Sequence, residues 1–332
     1  MARGNETGPT VMRLVRIGDI GVELHLDHRA NRGVGAFVDR ISDEAVDLPG
    51  RYHLLAIAGE QARLVMDPDR KTMSLTLPPA RTERDQATIE IGLLQALARG
   101  VAFLEAADPQ VAMPTALLHG GAVMISTDCA IAVVDGGLGQ GKTSLAMGLA
   151  ARHGQLMVDE FTFVTIAGQH VTVLAAPQWP WHVRSDMAAH LVPGNVDRRL
   201  LFAGDLTGIA TTAVNADAVR MMLIPDRGLP AGETVDVSPV EVRRLLRCAV
   251  TDHLRKLVDP RLDHVSIFDS PDHLATADGA PLHTRPAVLV HDAKRVLDAL
   301  VTVPVIRVGI GAPADLPISV TAASARCTEL LA

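Results

Sequence analysis

One glycine-rich segment in the middle of the chain constrains the fold more than any other feature of the sequence. It follows a short apolar run, residues 130–134, and precedes an apolar stretch with helical spacing, residues 142–152. The segment fits the pattern G-x-x-x-x-G-K-[ST] at every fixed position, and it consists of Gly136, Gly137, Leu138, Gly139, Gln140, Gly141, Lys142 and Thr143. A strand that leads through such a loop into a helix is typical of α/β proteins, so we predict this fold class.

Each part of this loop suits the binding of phosphate. Glycines let the backbone curl so that its N–H groups point inward, and the helix that follows adds the positive end of its dipole. Lys142 supplies a mobile cation, the hydroxyl of Thr143 is placed to bind Mg²⁺, and Ser144 completes the predicted phosphate-binding residues. The sequence therefore predicts a nucleoside triphosphate site. The open alternative is a glycine-rich turn without a ligand.

Two acids and one histidine near this loop are candidate catalytic residues. Asp159 and Glu160 directly follow an apolar run, residues 155–158, and side chains at the carboxyl end of a strand commonly face ligands. They are candidate Mg²⁺ ligands with Thr143, and Asp159 is a candidate base for the incoming hydroxyl. A solvated acidic turn is the alternative. His119 ends another short apolar run, and a structural role is its alternative.

The order and spacing of these motifs resemble the kinase domain of HPr kinase/phosphorylase. The resemblance extends over residues 115–176, and a last strand-like run, residues 303–308, also resembles the strand that closes such proteins. The segments that carry it are Leu118-His119-Gly120, the phosphate loop, Arg152-His153-Gly154-Gln155-Leu156 and Val158-Asp159-Glu160. The family's second signature is not recognisable, so we expect an acceptor other than HPr.

This resemblance implies a P-loop kinase domain of the type shared with phosphoenolpyruvate carboxykinase, built on a mixed sheet. It implies Mg²⁺ bound near Thr143, and we expect ATP as the donor, with ADP or pyrophosphate as open alternatives. It also implies that Asp159 activates the acceptor hydroxyl, that Lys142 holds phosphate, and that His119 lies near the phosphates or the metal. Because relatives assemble into oligomers, a homo-oligomer is expected.

The rest of the chain divides around this domain. Residues 1–110 are predicted as a smaller, strand-rich α+β region, in which five β-favouring runs (11–17, 21–26, 51–58, 62–66 and 72–77) precede a linker helix at 85–107. Residues 111–312 are predicted to form the kinase domain, and residues 313–332 a C-terminal tail. Residues 269–286, rich in Pro, Asp, Ala and His, are predicted to form an exposed loop.

Composition excludes several classes of protein. A net charge of −7, spread along the chain, gives no electrostatic reason to bind nucleic acid or an anionic membrane. The polar N-terminus is unlike a signal peptide, and the apolar runs are too short to cross a bilayer, so a soluble, cytoplasmic protein is expected. The three cysteines form no CxxC pair, and no H-x-x-x-H or H-E-x-x-H spacing occurs, which argues against a zinc site.

One further segment and three arginines are weaker candidates. The segment Trp179-Pro180-Trp181-His182-Val183-Arg184 could line a substrate pocket, or it packs a loop against the domain. Arg198, Arg199 and Arg227 could stabilise charge on a transferred phosphoryl group, or they lie on a solvated face.

The first hypothesis is a Mg²⁺-dependent kinase that transfers the terminal phosphoryl group of ATP to a serine-type hydroxyl in a peptide, a protein or a small molecule. The alternative is a regulatory P-loop NTPase, a nucleotide-gated binding module without a phosphoryl acceptor. A third possibility is an inactive relative whose N-terminal region recognises a partner protein.

Overall fold

The structure, a computed structural model, describes residues 10–43, 51–108, 110–111, 115–134, 140–176, 178–182, 200–206, 208–263, 265–284 and 286–331, with residues 286–289 described by their backbone alone. This part of the chain is a mixed α/β protein, which confirms the predicted class: helices accompany two mixed sheets of six and eight strands. The chain forms two compact units. The first comprises Met1–Val111 and Leu254–Leu289, and the second comprises Ala112–His253 and Val290–Ala332.

The strands are, in chain order, β1 (Val11–Ile17), β2 (Ile20–Leu26), β3 (Tyr52–Ala58), β4 (Arg63–Asp67), β5 (Thr72–Leu77), β6 (Thr115–Ser126), β7 (Cys129–Val134), β8 (Gln155–Val158), β9 (Phe161–Ala167), β10 (His170–Val173), β11 (Trp181–His182), β12 (Leu200–Leu201), β13 (Val219–Asp226), β14 (Thr234–Asp236), β15 (Leu274–Thr276) and β16 (Val305–Gly309). The helices are α1 (His28–Ile41), α2 (Glu83–Ala107), α3 (Lys142–His153), α4 (Pro239–Val258), α5 (Pro286–Leu300) and α6 (Leu316–Leu331). The five runs predicted as strands before residue 78 agree with β1 to β5 within one residue at each end.

The sheet of the first unit has the strand order β1-β2-β3-β5-β4-β15. Because β2 and β3 run parallel, the chain must cross over between them, and α1 makes this connection. Asp27 caps α1 by accepting a hydrogen bond from the N–H of Ala30 at 2.6 Å, and Val34, Phe37 and Ile41 lie on its buried face. The sequence analysis did not predict this helix.

The prediction of an exposed loop at residues 269–286 was wrong. Within this segment β15 pairs parallel with β4, and Leu274 lies opposite Leu64 in the ladder. All three residues of β15 are buried. A polar, Pro-rich composition therefore conceals a short strand, because pairing with a distant strand fixes its structure rather than local propensity.

Helix α2 is buried along most of its length. Its charged and amide groups have partners inside the first unit: Gln95 and Arg99 both donate to the carboxylate of Asp263, and Glu105 accepts a hydrogen bond of 2.8 Å from the hydroxyl of Tyr52. Among the described residues α2 is the one helix long and apolar enough to cross a membrane, and 83% of its most apolar window is buried inside the fold. A helix that is apolar all round is also typical of a protein core.

The sheet of the second unit has the order β10-β9-β6-β7-β13-β16-β14, and β8 also pairs with β6. Strands β7, β13 and β16 run parallel, whereas β6 is antiparallel to β7, β8 and β9. Helix α3 follows β7 and buries Leu145 and Leu149 in the core beside this sheet. The predicted order of strand, helix, strand and hairpin after residue 117 is therefore present in the described residues, whereas residues 135–139 of the predicted loop lie outside them.

The C-terminal residues differ from the predicted tail. Most of them form α6, whose residues Leu316, Val320, Ala323 and Cys327 belong to the same core cluster as α3. The boundaries of the units differ as well, because residues 254–289 were predicted inside the kinase domain and instead join the first unit.

Candidate active site

The end of β7 and the start of α3 carry the predicted phosphate-binding residues. Four of them, Gly136, Gly137, Leu138 and Gly139, lie outside the described residues. Gly141 has a φ of 93°, in the left-handed region that favours glycine, and it immediately precedes α3. Lys142 and Ser144 are buried in the first turn of this helix. The Oε1 atom of Gln140 accepts a hydrogen bond of 3.2 Å from the backbone of Arg227, which brings this arginine's backbone beside the loop.

Strand β6 changes its pairing partner halfway along its length, and the candidate active site lies at the point where the partner changes. Its first half pairs with β9, where His119 lies opposite Phe161, and its second half pairs with β8, where Ala122 lies opposite Val158. Strands β8 and β9 therefore lie end to end along one edge of β6. The two residues that join β8 to β9 are Asp159 and Glu160, and the two residues of β6 between these pairs are Gly120 and Gly121.

The connection between β8 and β9 is a tight turn. Glu160 has a φ of 59°, which is uncommon for a residue with a side chain, and the N–H of Phe161 donates to the carbonyl of Asp159 at 2.6 Å. Gly121 suits this turn, since a Cβ atom on it would lie 3.1 Å from Oδ1 of Asp159, whereas Gly120 permits the close approach of β7, because its Cβ atom would lie 2.3 Å from the carbonyl oxygen of Val133. The His-Gly-Gly segment of β6 and the acid pair of the turn therefore pack against each other.

Asp159 joins the phosphate loop through Thr143. The hydroxyl of Thr143 donates to Oδ2 of Asp159 at 2.8 Å, whereas Oδ1 is buried and has no hydrogen-bond partner among the described residues. Burial raises the pKa of Asp159 to about 6; the charge of Glu160 acts in the same direction, and the hydrogen bond from Thr143 and the charge of Lys142 oppose it. An orphaned buried carboxylate oxygen beside a hydroxyl is an oxygen-donor set that suits Mg²⁺.

His119 lies between two carboxylates. Its Nε2 is 3.2 Å from Oε1 of Glu160, and its Nδ1 is 2.8 Å from Oδ2 of Asp252, while only 4% of its side chain is exposed. Glu160 was predicted as a metal ligand, and the structure brings its carboxylate against this histidine instead of against Thr143. The contact with Asp252 was not predicted from the sequence.

A second histidine completes this cluster. His253, the neighbour of Asp252 on α4, lies with its Nε2 2.9 Å from the carbonyl oxygen of Glu160 and donates to it. Its ring centroid is 5.3 Å from that of His119 and 4.9 Å from that of Phe161. Helix α4 thereby fixes both the backbone of the turn and the ring of His119. No short sequence motif links Asp252 or His253 to the site.

The charges around Glu160 favour its ionised form. Burial alone would favour the neutral acid, but the charge of His119, the hydrogen bond from its ring, and attraction to His253 and Lys142 hold the pKa of Glu160 well below its usual range. The two adjacent acids of the turn therefore have opposite shifts, and a titratable pair of this kind is typical of sites that handle protons.

The tryptophan segment contributes to packing. Trp179 and Trp181 are buried, and Trp179 makes edge-on contacts with Phe161 and Phe163. The described residues of this segment therefore support the packing alternative over a substrate pocket. Among the candidate cationic residues, Arg227 is exposed. The remaining predictions of this group, Val183, Arg184, Arg198 and Arg199, lie outside the described residues.

No protein-family model matches the sequence, and no curated protein sequence matches it.

Proposed function

We propose that this protein is a Mg²⁺-dependent phosphotransferase that moves the terminal phosphoryl group of ATP to a hydroxyl group of a peptide, a protein or a small molecule. The observation that carries the proposal is the hydrogen bond of 2.8 Å between Thr143 and Asp159. It joins the last residue of the phosphate-loop pattern to an acid from a neighbouring strand, the pairing that P-loop enzymes use to hold the metal of a bound nucleotide.

Different residues of the site would bind the metal and the phosphates of the nucleotide. Thr143 and Asp159 would hold Mg²⁺, which neutralises charge on the phosphates when it is bound. Lys142 begins α3, where its ammonium group and the helix dipole both favour anionic phosphate.

Asp159 also suits the role of base. A carboxylate whose pKa is raised to about 6 ionises close to neutral pH and holds a proton better than an ordinary aspartate. Its Oδ1 atom, which has no hydrogen-bond partner in the described part of the chain, is the atom that would accept the proton of the acceptor hydroxyl.

His119, which lies on β6 directly before Gly120, supports this chemistry. The ring is held by Glu160 and Asp252, so it presents a fixed, hydrogen-bonded group beside the acid turn. We assign it the role of a fixed hydrogen-bonding group near the phosphates, the position that the resemblance implies, since preorganised polar groups stabilise the charge that develops there.

The test compares two substitutions at one position. Thr143→Ser keeps the hydroxyl, and Thr143→Val removes it with little change in shape. With γ-labelled ATP, Mg²⁺ and a mixture of serine-containing peptides and small hydroxyl compounds, we expect labelled product from the wild type and from Thr143→Ser. Thr143→Val should lose transfer by about 100-fold or more, since one electrostatic contact in a site is worth this much.

The destination of the label separates the proposed activity from its alternative. Label in an acceptor supports the transferase, whereas label released only to water supports a regulatory NTPase. Equal transfer by Thr143→Val and wild type, with both proteins folded, would reject the site.

A further inference from the structure

Three side chains on the sheet of the first unit form a compact cluster of metal-binding atoms. Glu23 and His25 lie on β2, and His53 lies on β3. Oε2 of Glu23 is 3.1 Å from Nδ1 of His53 and 3.3 Å from Nε2 of His25, and the three ligand atoms lie within 4.8 Å of one another. Side-chain exposures of 30% for Glu23, 33% for His25 and 43% for His53 leave the cluster open to solvent.

The backbone fixes this arrangement. Strands β2 and β3 run parallel with Glu23 directly opposite His53. His25 follows two residues after Glu23, so both side chains project from the same face of the sheet. The neighbouring positions Val22, Leu24 and Leu26 are fully buried, which shows that the cluster lies on the face opposite the packed core.

Two of the three separations match those of a zinc site, and the third lies within 4.8 Å. Zinc binds His nitrogen and carboxylate oxygen at about 2.0–2.2 Å with tetrahedral geometry, so two ligand atoms on one ion lie about 3.3–3.5 Å apart. Both contacts of Glu23 are close to this value before any ion is added. Two imidazoles and one carboxylate also form a mixed N/O set, which favours zinc over Mg²⁺ or Ca²⁺.

The surroundings support binding rather than a simple hydrogen-bonded triad. Across the β1–β2 ladder Leu14 lies opposite Glu23 and Met12 lies opposite His25, so apolar side chains flank the cluster on one side. Apolar side chains beside the ligands lower the polarity on that side of the site, which strengthens the interaction of the ligands with a cation. Three protein ligands leave the fourth tetrahedral position open for water or an anionic group.

We propose that Glu23, His25 and His53 form a zinc-binding site with one open coordination position. This site lies in the first unit, so it is independent of the proposed phosphotransferase activity.

The test measures zinc binding by tag-free protein with Cys248→Ser as the background, because Cys248 is an exposed free thiol and a thiolate is itself a ligand for zinc. Calorimetric titration with zinc chloride in excess Mg²⁺ should show a single zinc ion bound per chain. His25→Ala and His53→Ala should each weaken binding by about 100-fold or more, beyond the 10- to 100-fold loss typical of residues that only support a ligand. His28→Ala removes an exposed histidine of α1 and should leave the affinity unchanged.

A second measurement reports the coordination geometry of the bound ion. Co²⁺ bound in place of zinc should give the strong visible absorption of a tetrahedral ion in the background protein and in His28→Ala, and this absorption should vanish in Glu23→Gln. The proposal is overturned if the background protein binds no zinc, or if His25→Ala and His53→Ala bind it as tightly as the background while circular dichroism shows both folded.

Discussion

Asp159 combines burial with a charge that the fold neutralises only in part. Taking 3.8 as its ordinary pKa and about 6 in the folded protein, the ionised form costs about 3 kcal/mol of folding stability. Because the folded state binds this proton more tightly, the cost grows as pH rises from about 4 to 6 and is complete above pH 6. A buried acid of this kind lowers the stability of the fold, and such costs are common at functional sites.

The first prediction concerns this cost. In metal-free protein, Asp159→Asn should be more stable than wild type at pH 8 by up to about 3 kcal/mol, and the difference should shrink below pH 6 and disappear near pH 4. Urea denaturation in the presence of a chelator measures it. Asp69→Asn, at an exposed turn, should follow the wild-type profile. A difference for Asp159→Asn that stays constant with pH would contradict the assignment.

The second prediction concerns Asp252, which lies 2.8 Å from His119. If Asp252 orients the ring, Asp252→Asn should lower kcat for phosphoryl transfer by about 10- to 100-fold with little change in the KM for ATP, since small displacements in a site have costs of this size. Steady-state kinetics with labelled ATP measures the effect. The control is Asp298→Asn, which removes only an exposed ion pair with Arg243. A change in KM alone would argue for a structural role.

Single residues differ in how far the sequence reveals them. Lys142, Thr143 and Asp159 stand in or next to a motif whose spacing carries its own chemistry, so they could be predicted. Asp252 and the ligands of the proposed zinc site could not. Asp252 lies on α4, and it follows Glu160 by more than 90 residues. The proposed zinc ligands are brought together by the register of two strands.

At the scale of elements, α3 and α6 pack closely at one glycine. A Cβ atom on Gly148 of α3 would lie 2.4 Å from Cγ2 of Val320 on α6, so this contact admits only glycine as the helices stand. Gly148 therefore lowers the intrinsic stability of α3 and permits the approach of α6.

The third prediction uses this contact. Gly148→Ala should destabilise the protein by about 1–3 kcal/mol through overpacking, and adding Val320→Ala should recover part of the loss. Gly33→Ala is the matched control, because Gly33 lies in α1 with open space around it and should gain up to about 1 kcal/mol from helix propensity. Thermal and urea denaturation measure all four proteins. Equal effects at the two glycines would contradict the role of the contact.

Elements with a strong local pattern were predicted, and those that depend on distant partners were not. Strands β3 to β5 alternate, over most of their length, between buried residues and residues that are at least partly exposed, and all five runs from β1 to β5 are rich in β-favouring residues. Helix α1 is the exception, because its capping Asp27 and its buried residues Val34, Phe37 and Ile41 at helical spacing form a local pattern from which the helix could have been predicted. Helix α6 and β15 become recognisable only through the surfaces against which they pack.

At the scale of the whole molecule, the first unit is built from two separate stretches of chain. Residues 254–289 complete it with β15 and with Asp263, the partner of Gln95 and Arg99. One continuous second domain was predicted, because nothing in the composition of residues 254–289 indicates that this segment returns to an earlier sheet.

The fourth prediction tests the division. A fragment of residues 112–332 lacks the sheet on which β15 lies, so β15 and the buried Leu282 should be exposed. Limited proteolysis should cut this fragment between residues 259 and 286 at least about 10-fold faster than the full chain, since cleavage follows local opening. Equal protection in both proteins would show that the segment folds without the first unit.

The first unit is built from two separate stretches of chain, and this has a consequence for synthesis on the ribosome. Strand β4 is made about 200 residues before β15, which covers its edge. At about 5–20 residues per second, translation leaves this edge unpaired for roughly 10–40 s in every new chain. An open strand edge is a template for pairing with other chains. The nascent protein is therefore most exposed to misassembly with neighbouring copies in this interval, before its last quarter has emerged.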